Sequence, residues 1–131
     1  YEPLALDMER PANQAGYDAS RDSFQKAIDL TQSWDGEMVI LVIPTREEVY
    51  ESVTADLLGE DLDKIKSARL AMLELCEELE LLCYDILYDL QIAAQQGESL
   101  YYYDDMHFNP NGNLILAELV QRWLDEEKLL P

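Results

Sequence analysis

Met38-Val-Ile-Leu-Val-Ile43 decides the fold reading: six apolar residues, mostly β-branched, with no polar alternation. Strands covered on both faces read this way, as in a parallel sheet flanked by helices. Pro44 ends the run and Thr45-Arg-Glu-Glu-Val-Tyr50 follows at its C-terminal end. Upstream, Asp35-Gly36 signals a turn after a helix capped at Ser20 or Asp22, with Phe24, Ala27, Ile28 and Leu30 on its apolar face. Helix, turn, buried strand and loop in that order belong to an α/β sheet.

Outward from this strand the rest of the chain falls into place. Residues 1–19, with Pro3, Pro11 and Gly16, read as an extended or looped lead-in with at most a short helical turn. Residues 46–58 read as a short helix or structured loop closing at Gly59. Leu62, Ile65, Ala68, Met72, Leu75, Cys76 and Leu79 recur at helical spacing, which predicts an amphipathic helix of about 18 residues capped by Glu60 or Asp61. Leu81–Leu87 reads as a second strand, and residues 88–96 as a short helix ending at Gly97. Asn109 is a good N-cap and Pro110 suits the first helical position, so a last helix runs to about Glu127. Its apolar residues cover more than one stripe, which predicts heavy burial or an interface.

The composition bounds the function. The 131 residues fit one domain, with a formal net charge of −19 from 28 acidic and 9 basic residues. Such a surface repels phosphate backbones and anionic lipid, which argues against nucleic-acid and membrane-surface partners. No run of about 18 apolar residues is present, so no membrane span is expected. No signal peptide is visible, and the compartment stays open. Cys76 and Cys83 fit neither a disulfide framework nor a zinc spacing, and their apolar settings predict buried free thiols.

The chemistry concentrates in Tyr101-Tyr-Tyr-Asp-Asp-Met-His-Phe-Asn-Pro-Asn-Gly-Asn113, which holds the sole histidine, His107, just after Asp104 and Asp105. A carboxylate beside an imidazole can hold its tautomer and stabilise the imidazolium formed when the ring acts as a base. Arg46 starts the loop at the C-terminal end of the first strand, where open α/β sheets place their ligand crevice, so it is a candidate substrate contact. A surface pairing with Glu47 or Glu48 is the plainer reading of that arginine. Three consecutive tyrosines could line a cleft, although packing before a tight turn is the simpler role.

Asp-x-His followed by Phe-Asn-Pro-x-Gly-Asn and an alanine-containing helix resembles the last sequence block of SGNH (GDSL-type) hydrolases. Val39–Tyr50 is similar to a strand-and-loop segment of some bacterial members. The resemblance implies a three-layer, flavodoxin-like parallel sheet flanked by helices and here incomplete, the C-terminal part of a single such domain spanning residues 1–131. It implies that His107 and an aspartate form part of a Ser-His-Asp triad. The pattern Asp-x-x-His selects Asp104 and Asp-x-His selects Asp105; the residues after His107 favour Asp105. It also matches an aspartate loosely to Asp85 or Asp89. The family's Gly-Asp-Ser block and its oxyanion-hole asparagine block are not in this sequence. None of Ser20, Ser23, Ser33, Ser52, Ser67 and Ser99 has a nucleophile's strand-turn-helix context.

The expectation is therefore the His-Asp half of an esterase acting on short-chain acyl esters of lipid or carbohydrate, without metal or cofactor. The partner would be a missing N-terminal segment of the parent chain, and the chain alone would be inactive. An exposed sheet edge would also permit a homodimer. Two other readings compete: a divalent-cation site built from Asp104, Asp105, His107 and Asn109, and a non-catalytic acidic interaction domain keeping the fold without the nucleophile.

Overall fold

The computed structural model describes residues 5–129. The elements in order are α1 (Pro11–Gln32), β1 (Val39–Val42), α2 (Arg46–Val49), α3 (Glu51–Leu58), α4 (Glu60–Glu78), β2 (Leu82–Asp85), α5 (Leu87–Gln95) and α6 (Pro110–Glu126). The chain is a helix-rich mixed α/β structure. Its sheet, among the described residues, has two strands, paired in parallel with Val39 opposite Leu82 and Val42 opposite Asp85. A parallel pair needs a long crossover, supplied here by α2, α3 and α4.

Several boundaries follow from local chemistry. Pro44 ends β1, and the first turn of α2 carries a capping box between Thr45 and Glu48. Gly59 and Gly97 take positive φ, +51° and +93°, where a side chain would be strained. Gly59, not Glu60 or Asp61, is the N-cap of α4.

Three further expectations are corrected. The stretch read as a lead-in is helical from Pro11, because Arg10 is extended and Pro11 sits at the first helical position, where a missing N–H costs nothing. The part of that reading on residues 1–4 lies outside the described residues. β1 is half-buried rather than covered on both faces, with only Val42 buried. One flank opens into a groove of about 370 Å³ bordered by Ile40, Ile43, Met72 and Phe24. Cys76 and Cys83 are not free thiols but a disulfide, joining the end of α4 to β2. The tight turn through Glu80, at φ +52°, lets the strand double back beside the helix end.

The core lies beneath the C-terminal ends of the strands. Val49, Ile86, Leu90, Ala93, Leu100 and Tyr101 form it, with Phe108, Ile115 and Leu116 packed against it. Ile86, Leu90 and Leu100 are fully buried, each contributing about 2 kcal/mol of burial free energy. α6 contributes only Gly112 and Trp123 as buried residues and leaves Leu114 exposed, so its apolar character exceeds what this core covers.

Candidate functional site

The floor of the site is built where β1 hands over to α2. Glu48 is 1 % exposed, and both of its carboxylate oxygens are engaged. Oε2 accepts from the Thr45 main-chain N–H at 2.9 Å and from its hydroxyl at 3.1 Å. Oε1 accepts from Arg69 Nε at 2.7 Å. Arg69 also pairs with Asp85, the last residue of β2, whose other oxygen accepts from Leu87 N–H at 3.2 Å. One guanidinium thus clamps the chain just after β1 and at the last residue of β2. A buried carboxylate is tolerable only with such pairing.

The wall is a short hairpin. Tyr101 and Phe108 form an antiparallel bridge, Tyr102 N–H donates to the His107 carbonyl at 3.2 Å, and Asn109 N–H donates to the Leu100 carbonyl at 2.9 Å. The Tyr101 and Phe108 rings stack with centroids 4.6 Å apart. Asn109 caps α6 by accepting from Gly112 N–H at 2.8 Å, while its amide donates to the Ser99 and Tyr101 carbonyls at 2.8 and 3.0 Å. Gly112 is required for closeness: a Cβ there would lie 2.0 Å from the Leu100 carbonyl oxygen. Asn109, Pro110 and Gly112 are therefore the frame that carries His107.

On this frame His107 Nδ1 lies 2.6 Å from Asp105 Oδ1, and the same oxygen accepts from the His107 main-chain N–H at 3.1 Å. The His107 hydrogen bonds hold the Asp105 carboxyl below its ordinary value, so it is ionised near neutral pH and can only accept. Nδ1 is therefore the donor in this contact. Nε2 makes no hydrogen bond among the described residues, and the His107 side chain is 77 % exposed. Asp104 is exposed and its side chain takes no part in the pair.

Arg46 comes to the same place from the other side. Its Nη1 donates to the Asp105 carbonyl at 3.2 Å, and its Nη2 lies 3.8 Å from Glu47. Arg46, His107, Thr45, Ile43, Met106 and Phe108 are among the residues lining a cavity of about 420 Å³ at the C-terminal end of β1. His107, Asp105 and Arg46 thus converge; Asp104 stays out. Of the tyrosines, Tyr101 is packed inside whereas Tyr103 is fully exposed.

Thr45 and most serines of the chain already have their hydroxyls in hydrogen bonds. Thr45, on the cavity wall, spends its hydroxyl on Glu48. Ser20, Ser23, Ser33 and Ser67 each donate to a backbone carbonyl, and Ser99 accepts from Asn109. No serine lines this cavity. Among the described residues no group of three or more His, Cys, Asp or Glu side chains is arranged to hold a metal ion, and no helix is long and apolar enough to cross a membrane.

Sequence reading missed the Glu48–Arg69–Asp85 cluster. Its one legible part is Thr45-Arg-Glu-Glu48, a capping-box pattern. Arg69 and Asp85 reach it only through the fold. Comparison with protein-family models, with curated proteins and with solved structures found no match to this chain.

Proposed function

We propose that this chain supplies the histidine and aspartate of a serine ester hydrolase of SGNH type, as the C-terminal part of a three-layer α/β domain. The observation that carries the reading is the 2.6 Å contact of His107 Nδ1 with an ionised Asp105, which leaves Nε2 uncommitted beside a cavity at the strand end. This is the geometry a general base needs: one ring nitrogen oriented by a carboxylate, the other free for the reacting proton.

A serine hydroxyl from another segment of the parent protein attacks the ester carbonyl while Nε2 takes its proton. Asp105 steadies the imidazolium and stays ionised. The imidazolium then gives the proton to the departing alkoxide, leaving an acyl-enzyme. Water, deprotonated by the same nitrogen, releases the acid and restores the serine. The apolar cavity wall and Arg46 suit a short acyl ester of lipid or carbohydrate, with Arg46 contacting a substrate oxygen. The oxyanion donors and the nucleophile come from outside this chain.

Labelling with a fluorophosphonate tests this reading. The parent protein is expected to form a serine adduct that is lost in His107→Ala, whereas this chain alone stays unlabelled. A parent that resists the reagent, or reacts equally without His107, contradicts it.

A further inference from the structure

Arg69 stands on α4 and does not line the His107 cavity, yet its side chain is only 11 % exposed. Its guanidinium joins segments that leave the sheet at the same end, pairing with Glu48 after β1 and with Asp85 at the close of β2. Desolvating such charges is costly, and well-packed apolar residues would commonly serve stability as well or better. The cluster is better understood through the geometry it imposes.

That geometry is the placement of α2. Glu48 receives Thr45 through one oxygen and Arg69 through the other, and its own carbonyl accepts from Gln91 on α5 at 3.0 Å. Arg46 directly follows Thr45, so the Thr45 bonds set where its side chain begins. From there its guanidinium reaches the Asp105 carbonyl at 3.2 Å. Asp105 in turn holds His107 through both ring and backbone. Each link from Arg69 to His107 is a hydrogen bond or a covalent neighbour. The tip of this loop, by contrast, is exposed from Tyr102 to His107 and has few anchors of its own.

We propose that Arg69 and Arg46 act in series as positioning residues for the His107–Asp105 pair, Arg69 fixing α2 through Glu48 and Arg46 carrying that placement to the Asp105 backbone. Its importance for catalysis rests on the triad reading, but the linkage itself is measurable without substrate.

The test is ¹⁵N NMR of the His107 ring in this chain, which reports the ratio of Nδ1–H to Nε2–H tautomers. The Nδ1–H form is expected to dominate. Arg46→Ala should lower the ratio roughly twofold or more, since one hydrogen bond holding Asp105 is lost. Arg69→Lys, which keeps the charge but not the fork, should lower it too. Applied on top of Arg46→Ala, Arg69→Lys should then change nothing further. Circular dichroism and a thermal melt establish that each variant is folded; if Arg69→Lys is not, Glu48→Gln takes its place in the same cycle.

Additive effects overturn the serial arrangement, and an unchanged ratio in both single variants overturns positioning altogether. A parent enzyme that hydrolyses esters while the ratio ignores both arginines would remove this linkage and spare the triad. A shifted ratio with an inert parent would keep the linkage and remove the triad.

Discussion

Gly112→Ala offers a demanding prediction because two local effects oppose each other. In a helix, alanine is favoured over glycine by about 1 kcal/mol. At this site the new Cβ would lie 2.0 Å from the Leu100 carbonyl oxygen and 2.8 Å from its carbon, both backbone atoms that cannot swing aside. An ordinary carbon–oxygen approach is about 3.3 Å. The helix start and the Leu100 segment must therefore separate by on the order of 1 Å. That movement breaks the 2.9 Å bond from Asn109 N–H to Leu100, at about 1 kcal/mol, and overpacks a buried position, at about 1–3 kcal/mol. Net of propensity, a loss of about 2 kcal/mol is expected. Urea denaturation followed by tryptophan fluorescence should show the midpoint falling by about 1 M with an unchanged slope. A variant as stable as the native chain, or more stable, would refute the claim that close approach dictates this glycine.

Other consequences are equally direct. The Tyr101 hydroxyl is buried without a hydrogen-bond partner among the described residues, and burial pushes its pKa up, so Tyr101→Phe should stabilise by about 1 kcal/mol in the same denaturation assay. A destabilised variant would mean the hydroxyl has a partner. The Cys76–Cys83 bridge closes a short loop, and Cys83→Ser should cost about 2 kcal/mol; thiol titration of the unreduced, unfolded protein should find no free cysteine. Because the His107 hydrogen bonds depress the folded Asp105 carboxyl, the pair stabilises the chain above that carboxyl's ordinary value of 3.8, and this contribution is lost as the pH falls below it toward the folded value. A ¹³C titration should therefore give Asp105 a midpoint below the ordinary range, returning upward in His107→Ala; no change between the two would contradict the contact.

Legibility in the sequence followed the range of the interaction. The unbroken Val39–Val42 run, Pro44, Gly59, Gly97 and the Asn109-Pro110 pair each act on their own neighbours, so the presence of both strands, the ends of α3 and α5 and the last cap could be read directly, whereas the start of α4 and the end of β2 were placed a residue or two off. α1 was misjudged at its start because Pro11 both breaks and begins helices, and Arg10 provides no side-chain cap to tell which. The disulfide depends on the turn at Glu80 bringing a helix end against a strand, which no cysteine spacing encodes. Within the site, the pairing of His107 with the aspartate two residues earlier is local and was foreseeable. Arg46 could be placed at a strand end, though its bond to the Asp105 backbone could not, since 59 positions separate them. Beyond the Thr45–Glu48 capping box, the Glu48–Arg69–Asp85 cluster is a product of three elements meeting.

His107 and Asp105 are proposed above as a catalytic base. The most direct measurement is hydrolysis of a short-chain nitrophenyl ester by the parent protein, its His107→Ala variant and its Asp105→Ala variant. A working His107–Asp105 base predicts an active parent, kcat reduced by about a thousandfold or more without His107, and a large reduction without Asp105. A parent with no activity, or one whose kcat survives the loss of His107, would contradict it.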